Sequence, residues 1–239
     1  MSRRFDITHQ TIRSEKLQKS LTVVQISDLH NACFGEKQAD LASAVSAMNP
    51  DLIVCTGDLF NRKRPSAHAH VFELIEAILP TAPILMVEGN HEIVLGETGE
   101  AFLSQLQKTG VQLLRDEAIL FQSVRIIGLR QRAEAEVLRS LTRDGPFNLV
   151  LCHRPELFPE YADCGADLIL CGHAHGGQIR FGSFSVYAPQ QGLFPKYTSG
   201  LYTLNSTNLF VSRGLGNTIP FPRIFNRPEL CVLHLVPKE

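Results

Sequence analysis

The sequence predicts one α/β domain, residues 1–239, in which strands and helices alternate before a β-rich end. Three features carry that expectation. Short apolar runs recur along the chain, each bounded by Gly, Asn, Asp or Pro. Segments with apolar residues at helical spacing separate them. From Gln178 onward the helical spacing stops, and strand-like runs are joined by Gly- and Pro-rich loops.

Residues 5–13 alternate weakly and read as an edge strand. Residues 21–27 are β-branched and apolar, which suits a central strand. Apolar residues at helical spacing over 37–48 predict a helix that Asn49-Pro50 stops. A second strand, 51–55, leads into Thr56-Gly57-Asp58. Ser66 is placed to cap a helix running to Leu79, with Val71, Leu74, Ile75 and Ile78 on one face. A third strand, 83–87, leads into Glu88-Gly89-Asn90-His91-Glu92. Helices over 98–108, 132–141 and 156–162 follow, with strands over 111–114, 117–121, 124–129, 148–152 and 167–170. Runs at 178–181, 201–205, 209–212 and 230–236 make the β-rich end.

Composition excludes several classes. Hydrophobic residues are 44% and charged residues 20% of the chain, ordinary for a soluble globular protein. A formal net charge of −1 supplies no basic field, so no nucleic-acid partner is expected. No apolar run approaches the ~18 residues of a spanning helix. Met1-Ser2-Arg3-Arg4-Phe5-Asp6 lacks the apolar core of a secretory signal. None of the six cysteines forms a C-x-x-C pair, and Cys55, Cys152, Cys171 and Cys231 lie in strand-like runs. That usage fits a reducing, cytoplasmic setting.

Five strand-like runs end in side chains that can bind metal: Asp28 and His30; Asp58; Asn90 and His91; His153; His173 and His175. Carboxyl ends of neighbouring strands in an α/β sheet lie together, so ligands scattered in sequence can converge there. The densest stretch, Cys171-Gly172-His173-Ala174-His175-Gly176-Gly177, sets two imidazoles between glycines that leave no Cβ to crowd an ion. Each motif alone reads as turn or helix-cap chemistry. Five at equivalent positions are hard to assemble by chance. Asp, Asn and His without thiolate argue against structural zinc and for an open Mn, Fe, Zn, Co or Ni site. The donors exceed what one such ion needs. A carboxylate such as Asp58 can bridge two ions, and paired ions suit in-line displacement at phosphorus.

Asp28-x-His30, Gly57-Asp58, Gly89-Asn90-His91-Glu92, His153 and Gly172-His173-x-His175, in that order, resemble the calcineurin-like metallophosphoesterase superfamily. The resemblance runs from Leu21 to Val236. Segments around Gly176-Gly177-Gln178, Gln191-Gly192-Leu193 and Ser212-Arg213-Gly214 are similar to a bacterial phosphodiesterase-type branch, many of whose members carry a membrane segment or export signal not expected here. The resemblance implies a four-layer α/β/β/α sandwich of two mixed sheets flanked by helices. It implies that Asp28, His30 and His175 hold one divalent ion, that Asn90, His153 and His173 hold a second, and that Asp58 bridges. It also implies a hydroxide shared by the ions as nucleophile. His91 would protonate the leaving oxygen or stabilise charge on phosphate, and Asn90 would touch both metal and phosphate. Glu92 stands where many relatives have Asp, a longer carboxylate that could orient His91. Ala174 replaces a common Thr.

The implied activity is hydrolysis of a phosphate ester, a phosphodiester or pyrophosphate before a monoester. A non-catalytic metal-binding scaffold is the rival from another class. Arg62-Lys63-Arg64 reads as a solvated charge run, the alternative being a loop past Asp58 that attracts a phosphate or anionic surface, and His9, His68, His70 and His234 read as histidines without metal. Leu193-Phe194-Pro195 and Ile219-Pro220-Phe221-Pro222 read as core-packed loops. The alternative is an apolar rim, fringed by Lys196, Arg223 and Arg227, for a lipid or sugar-nucleotide head group or a membrane surface.

Overall fold

The computed structural model describes residues 4–64, 67–182, 184–218 and 222–238. The alternating part runs β1 (Asp6–Ser14), β2 (Leu21–Ile26), α1 (Ala39–Ala47), β3 (Leu52–Cys55), α2 (Ala69–Ile78), β4 (Ile84–Met86), α3 (Asn90–Val94), α4 (Glu97–Thr109) and β5 (Gln112–Leu113). It continues through β6 (Glu117–Phe121), β7 (Val124–Gly128), α5 (Ala135–Leu141), β8 (Phe147–Leu151), α6 (Phe158–Tyr161) and β9 (Leu168–Cys171). The end holds four two-residue strands, β10 (Arg180–Phe181), β11 (Phe184–Ser185), β12 (Tyr187–Ala188) and β13 (Gly192–Leu193). Then come β14 (Gly200–Leu204), β15 (Thr207–Val211) and β16 (Glu229–Pro237).

Two six-stranded mixed sheets result, ordered β1-β16-β2-β3-β4-β5 and β14-β15-β9-β8-β7-β6. In the first, β2 to β5 are parallel and β16 returns antiparallel beside β2. In the second, β7, β8, β9 and β15 are parallel between antiparallel edges. Both faces of the inner strands are apolar, and both are buried. Val23, Leu52, Val54 and Leu85 point between the sheets and pack on Ile126, Leu149, Leu151, Leu168 and Leu170. Val24, Ile26 and Ile53 point outward under Leu41, Val45, Val71, Leu74, Phe102 and Leu106 of α1, α2 and α4. Ile127, Val150 and Ile169 do the same under α5 and α6. The architecture is therefore the expected α/β/β/α sandwich, each fully buried aliphatic side chain contributing about 1.5–3 kcal/mol.

Local differences have backbone causes. α1 starts at Ala39 because Lys37 and Gln38 hold left-handed φ of 47° and 65°. Arg132, at φ 60°, delays α5 to Ala135. α2 begins at Ala69 without a side-chain cap, and Ser66 lies outside the described residues. β1 does lie at a sheet edge, where His9 Nδ1 sits 3.0 Å from His234 Nε2, so these two are strand partners. Among the described residues no helix is long and apolar enough to cross a membrane.

Candidate metal centre

The carboxyl ends of β2, β3 and β4 in one sheet meet those of β8 and β9 in the other. Backbone bonds stitch the emerging loops together: Asp28 N donates to Gly57 O at 3.0 Å, His30 N to Asp58 O at 3.1 Å, and Gly172 N to His153 O at 3.2 Å. His173 N crosses between sheets to Asp28 Oδ2 at 3.0 Å. The turns are tight enough that Asp28, His30, Asp58, His173 and His175 all hold φ between 48° and 65°. A methyl at Gly172 would come within 1.9 Å of Ser27 Oγ, so glycine is required for the two sheets to close here.

Three overlapping groups of donor atoms form, each within 4.8 Å and each buried: Asp28, His30 and His175; His30, Asp58 and His91; Asp58, His153 and His173. In the first, His30 Nε2 lies 3.2 Å from His175 Nε2, and His175 Nε2 lies 3.5 Å from Asp28 Oδ1. In the third, His153 Nε2 lies 3.3 Å from Asp58 Oδ2 and 3.1 Å from His173 Nδ1. Ligands about 2.1 Å from one ion sit about 3–3.5 Å from each other, so these spacings suit a shared cation. One atom tests the fit directly. Asn90 Oδ1 is buried without a hydrogen-bond partner, and a cation would satisfy it. His153 Nδ1 donates to Thr56 O at 2.7 Å and His30 Nδ1 to Phe60 O at 3.3 Å, which bares each Nε2 toward the cluster.

Electrostatics separate the imidazoles. Burial pushes His30 down to about 3, and burial with the nearby Arg223 charge does the same to His175. Burial also lowers His173 and His91. Burial opposes the charge on His153 too, but Asp58 beside it outweighs that and raises it to about 10. Burial opposes charge on Asp58, yet His153 holds its carboxyl well below the usual range.

His91 lies at the start of α3, where its N donates to Asp58 Oδ1 at 2.7 Å. Its Nδ1 accepts from Arg62 N at 3.1 Å, which leaves the proton on Nε2, 4.0 Å from Asp58 Oδ2. Glu92 does not orient His91. Its Oε2 accepts from Asp58 N at 3.0 Å and Gly89 N at 2.8 Å, and its Oε1 from Phe60 N at 3.0 Å. One buried carboxylate thus clamps the loops after β3 and β4. Burial and Asp58 raise Glu92 to about 7.

Asp58, Asn90, His91, His173 and His175 line a cavity of about 300 Å³ whose walls include Arg62, Lys63 and Arg154. The basic run is exposed as read, but two of its members face this cavity. Arg154 is fixed by Gln131 Oε1 at 2.5 Å and Glu156 Oε1 at 3.0 Å. Arg223, read from sequence only as surface fringe, places Nη2 3.1 Å from His175 Nδ1 and donates to the carbonyls of Arg213 and Gly216. No local spacing ties it to His175, so only the tertiary fold reveals the pair.

The family model for calcineurin-like phosphoesterases matches residues 21–177. The chain is 29% identical to the uncharacterized metallophosphoesterase YkuE of Bacillus subtilis, over 96% of this chain and 85% of that one. It is 33% identical to Bacillus subtilis YpbG, over 92% and 82%. It is 24% identical to the phosphodiesterase YaeI of Escherichia coli, over 90% and 82%. With these likenesses added to the strand-end cluster, the chain belongs to the calcineurin-like phosphoesterase family and is a metal-dependent phosphoric ester hydrolase.

Proposed function

We propose that this chain, working as one domain, is a dinuclear hydrolase that favours phosphodiesters or pyrophosphates over monoesters. The observation that carries the reading is that two donor groups, Asp28/His30/His175 and Asp58/His153/His173, are linked through the overlapping group His30/Asp58/His91, beside the unsatisfied Asn90 Oδ1. Asp28, His30 and His175 would hold one divalent ion, Asn90, His153 and His173 the other, and Asp58 both. Nitrogen and oxygen donors suit Mn, Fe, Zn, Co or Ni. When bound, such ions supply an activated water and neutralise phosphate charge.

The chain's own groups then divide the work. Arg62, Lys63 and Arg154 draw the anionic ester into the cavity. His91 presents Nε2–H toward Asp58, suited to a phosphate oxygen, because Arg62 N occupies its other nitrogen. Glu92 keeps Asp58 and Asn90 in register. A second recess, lined by Asn31, Asn61, Lys63, Arg64 and Thr218, adjoins the first across Lys63 and Thr218. It offers room for a second ester arm, and the likeness to a phosphodiesterase supports the same preference. The six free thiols favour a reducing cytoplasm.

The test pairs two variants with two substrate types. Asp58→Asn should lose metal and nearly all turnover, whereas His91→Ala should keep metal and lose rate. Bis-aryl phosphate should be cleaved faster than mono-aryl phosphate, and the screen extends to sugar nucleotides and glycerophosphodiesters. Full metal content and full turnover in Asp58→Asn would end the bridging assignment, and faster monoester turnover would reverse the substrate order.

A further inference from the structure

The loop at Leu193-Phe194-Pro195, expected in the core, lies outside it: Leu193 is 69% and Phe194 67% exposed. Ile219-Pro220-Phe221 lie outside the described residues, and Pro222 is exposed. Phe194 belongs to a group of four exposed phenylalanines. Phe181 and Phe184 face each other across β10 and β11. The Phe181 ring lies 5.7 Å from that of Phe225, and the Phe184 ring 5.6 Å from that of Phe194. Phe225 is 78% exposed. Phe194 and Phe225 also hold left-handed φ of 54° and 51°, a strained backbone for aromatic residues. These four solvent-facing phenylalanines, two ring-contact pairs brought side by side by the β10–β11 pairing, form a patch of the kind that marks an interaction surface.

Charge identifies the partner. No Asp or Glu occurs between Asp167 and Glu229. Lys196 stands two residues from Phe194, and Arg223 and Arg227 each two from Phe225. Of the other cations in this stretch, Arg180 is buried, Arg213 is paired with Glu229 and Asp6, and Arg223 is turned inward on His175 and backbone carbonyls, so they do not add to the surface field; Arg227 Nη1 lies 3.6 Å from Asp6 Oδ1, but its side chain is 68% exposed, so water screens that pair and leaves the guanidinium open to a lipid phosphate.

We propose that this face docks on an anionic lipid bilayer, with the four phenylalanines at the boundary of head groups and acyl chains and Lys196 and Arg227 on lipid phosphates. A second copy of the chain would oppose like charges across the same face. Tyr187, paired with Leu193 across β12 and β13, also lines a recess against His175. Docking would therefore turn the mouth of the cavity toward the lipid surface. The inference stands apart from the reaction assigned to that cavity.

The chain contains no tryptophan, so Phe225→Trp supplies a single fluorescent reporter. With vesicles of phosphatidylcholine containing one-third phosphatidylglycerol, its emission should shift to the blue and the protein should sediment with the lipid. Pure phosphatidylcholine should bind about tenfold more weakly, and high salt should weaken the anionic vesicles. The double change Phe194→Ser with Phe225→Ser should lower partitioning about tenfold or more while leaving the urea midpoint in place, because these rings are not core. Absence of binding to anionic vesicles, or equal binding by the serine variant, overturns the proposal. So does a concentration-dependent dimer that the serine changes dissolve.

Discussion

Gly89→Ala isolates how closely the ligand loops must approach. Gly89 has φ −97° and ψ −179°, which alanine adopts freely, so backbone strain plays no part. The obstacle is space. A Cβ there would stand 2.1 Å from Asp58 Oδ1 and 2.2 Å from Asp58 N. Both atoms are already committed, Oδ1 to His91 N at 2.7 Å and Asp58 N to Glu92 Oε2 at 3.0 Å. The backbone of the loop after β3 must move, because no flexible side-chain end can swing aside. Overpacking a rigid site costs about 1–3 kcal/mol. Losing a charge-assisted hydrogen bond adds about 1.5–3 kcal/mol. With partial relaxation the total is about 3–5 kcal/mol. At a urea dependence of about 2–3 kcal/mol per molar, the metal-free midpoint should fall by about 1–2.5 M. Elemental analysis after metal loading should show at least one ion lost. Gly145→Ala is the control: its φ of 101° is left-handed, but nothing lies within 4 Å of its Cβ, so it should lose some stability and no metal. A Gly89→Ala protein with the wild-type midpoint and metal content would refute the reasoning.

Two further outcomes follow from the same cluster. Metal affinity should rise with pH: His153 is held near 10 against a usual 6.5, so its proton must leave Nε2 for a cation to bind. The rise should be about tenfold per unit between about pH 7 and 9, with proton release visible in calorimetry across buffers of different ionisation enthalpy; flat affinity would contradict it. In the metal-free protein the sign is opposite, because a raised folded pKa adds stability that is complete below 6.5 and lost as pH rises through about 10. Asn90→Leu replaces the unsatisfied Oδ1 with an apolar group of similar volume, so the metal-free fold should be unchanged or slightly more stable while the affinity for the second ion drops. Unchanged metal stoichiometry and affinity in that variant would remove Asn90 from the donor set.

The strand order of the alternating part was legible because both faces of β2, β3, β4, β8 and β9 are apolar, and punctuation marks where each stops. The same punctuation placed every proposed ligand at a strand's carboxyl end. What escaped were features set by long-range partners. α3 spans only Asn90–Val94, too short for a periodicity to register. Glu92 looked like an attachment to His91, but its three acceptor contacts are backbone N–H groups, two from the loop after β3 and one from Gly89 at the start of its own helix. Arg62 serves His91 through its backbone nitrogen, which its basic side chain does not advertise. Phe194 misled because an apolar residue in a Pro-rich loop reads as core unless its partners are known.

The left-handed backbone at the ligands gives the clearest link between fold and chemistry. Five of the seven proposed ligands, Asp28, His30, Asp58, His173 and His175, sit at φ values that cost a non-glycine residue roughly 1 kcal/mol each. The strands leading into these turns are apolar and each pairs with a parallel neighbour, so nothing in their own pairing calls for that turn. What the turn achieves is to bend each chain end inward, so that a side chain which would have capped a helix or met water instead faces its counterparts from the other sheet. There it meets a second penalty, since Asp28 and Asp58 are 0% and 1% exposed. Glu92 and the inter-loop backbone bonds hold this arrangement against both costs, which is why they fasten loops rather than touch the cavity. Cations entering the cluster would neutralise the buried carboxylates and engage the unsatisfied Asn90 Oδ1 without undoing those fastenings. Their binding energy therefore adds to folding energy by linkage, and the strain remains as preorganisation of the donor set.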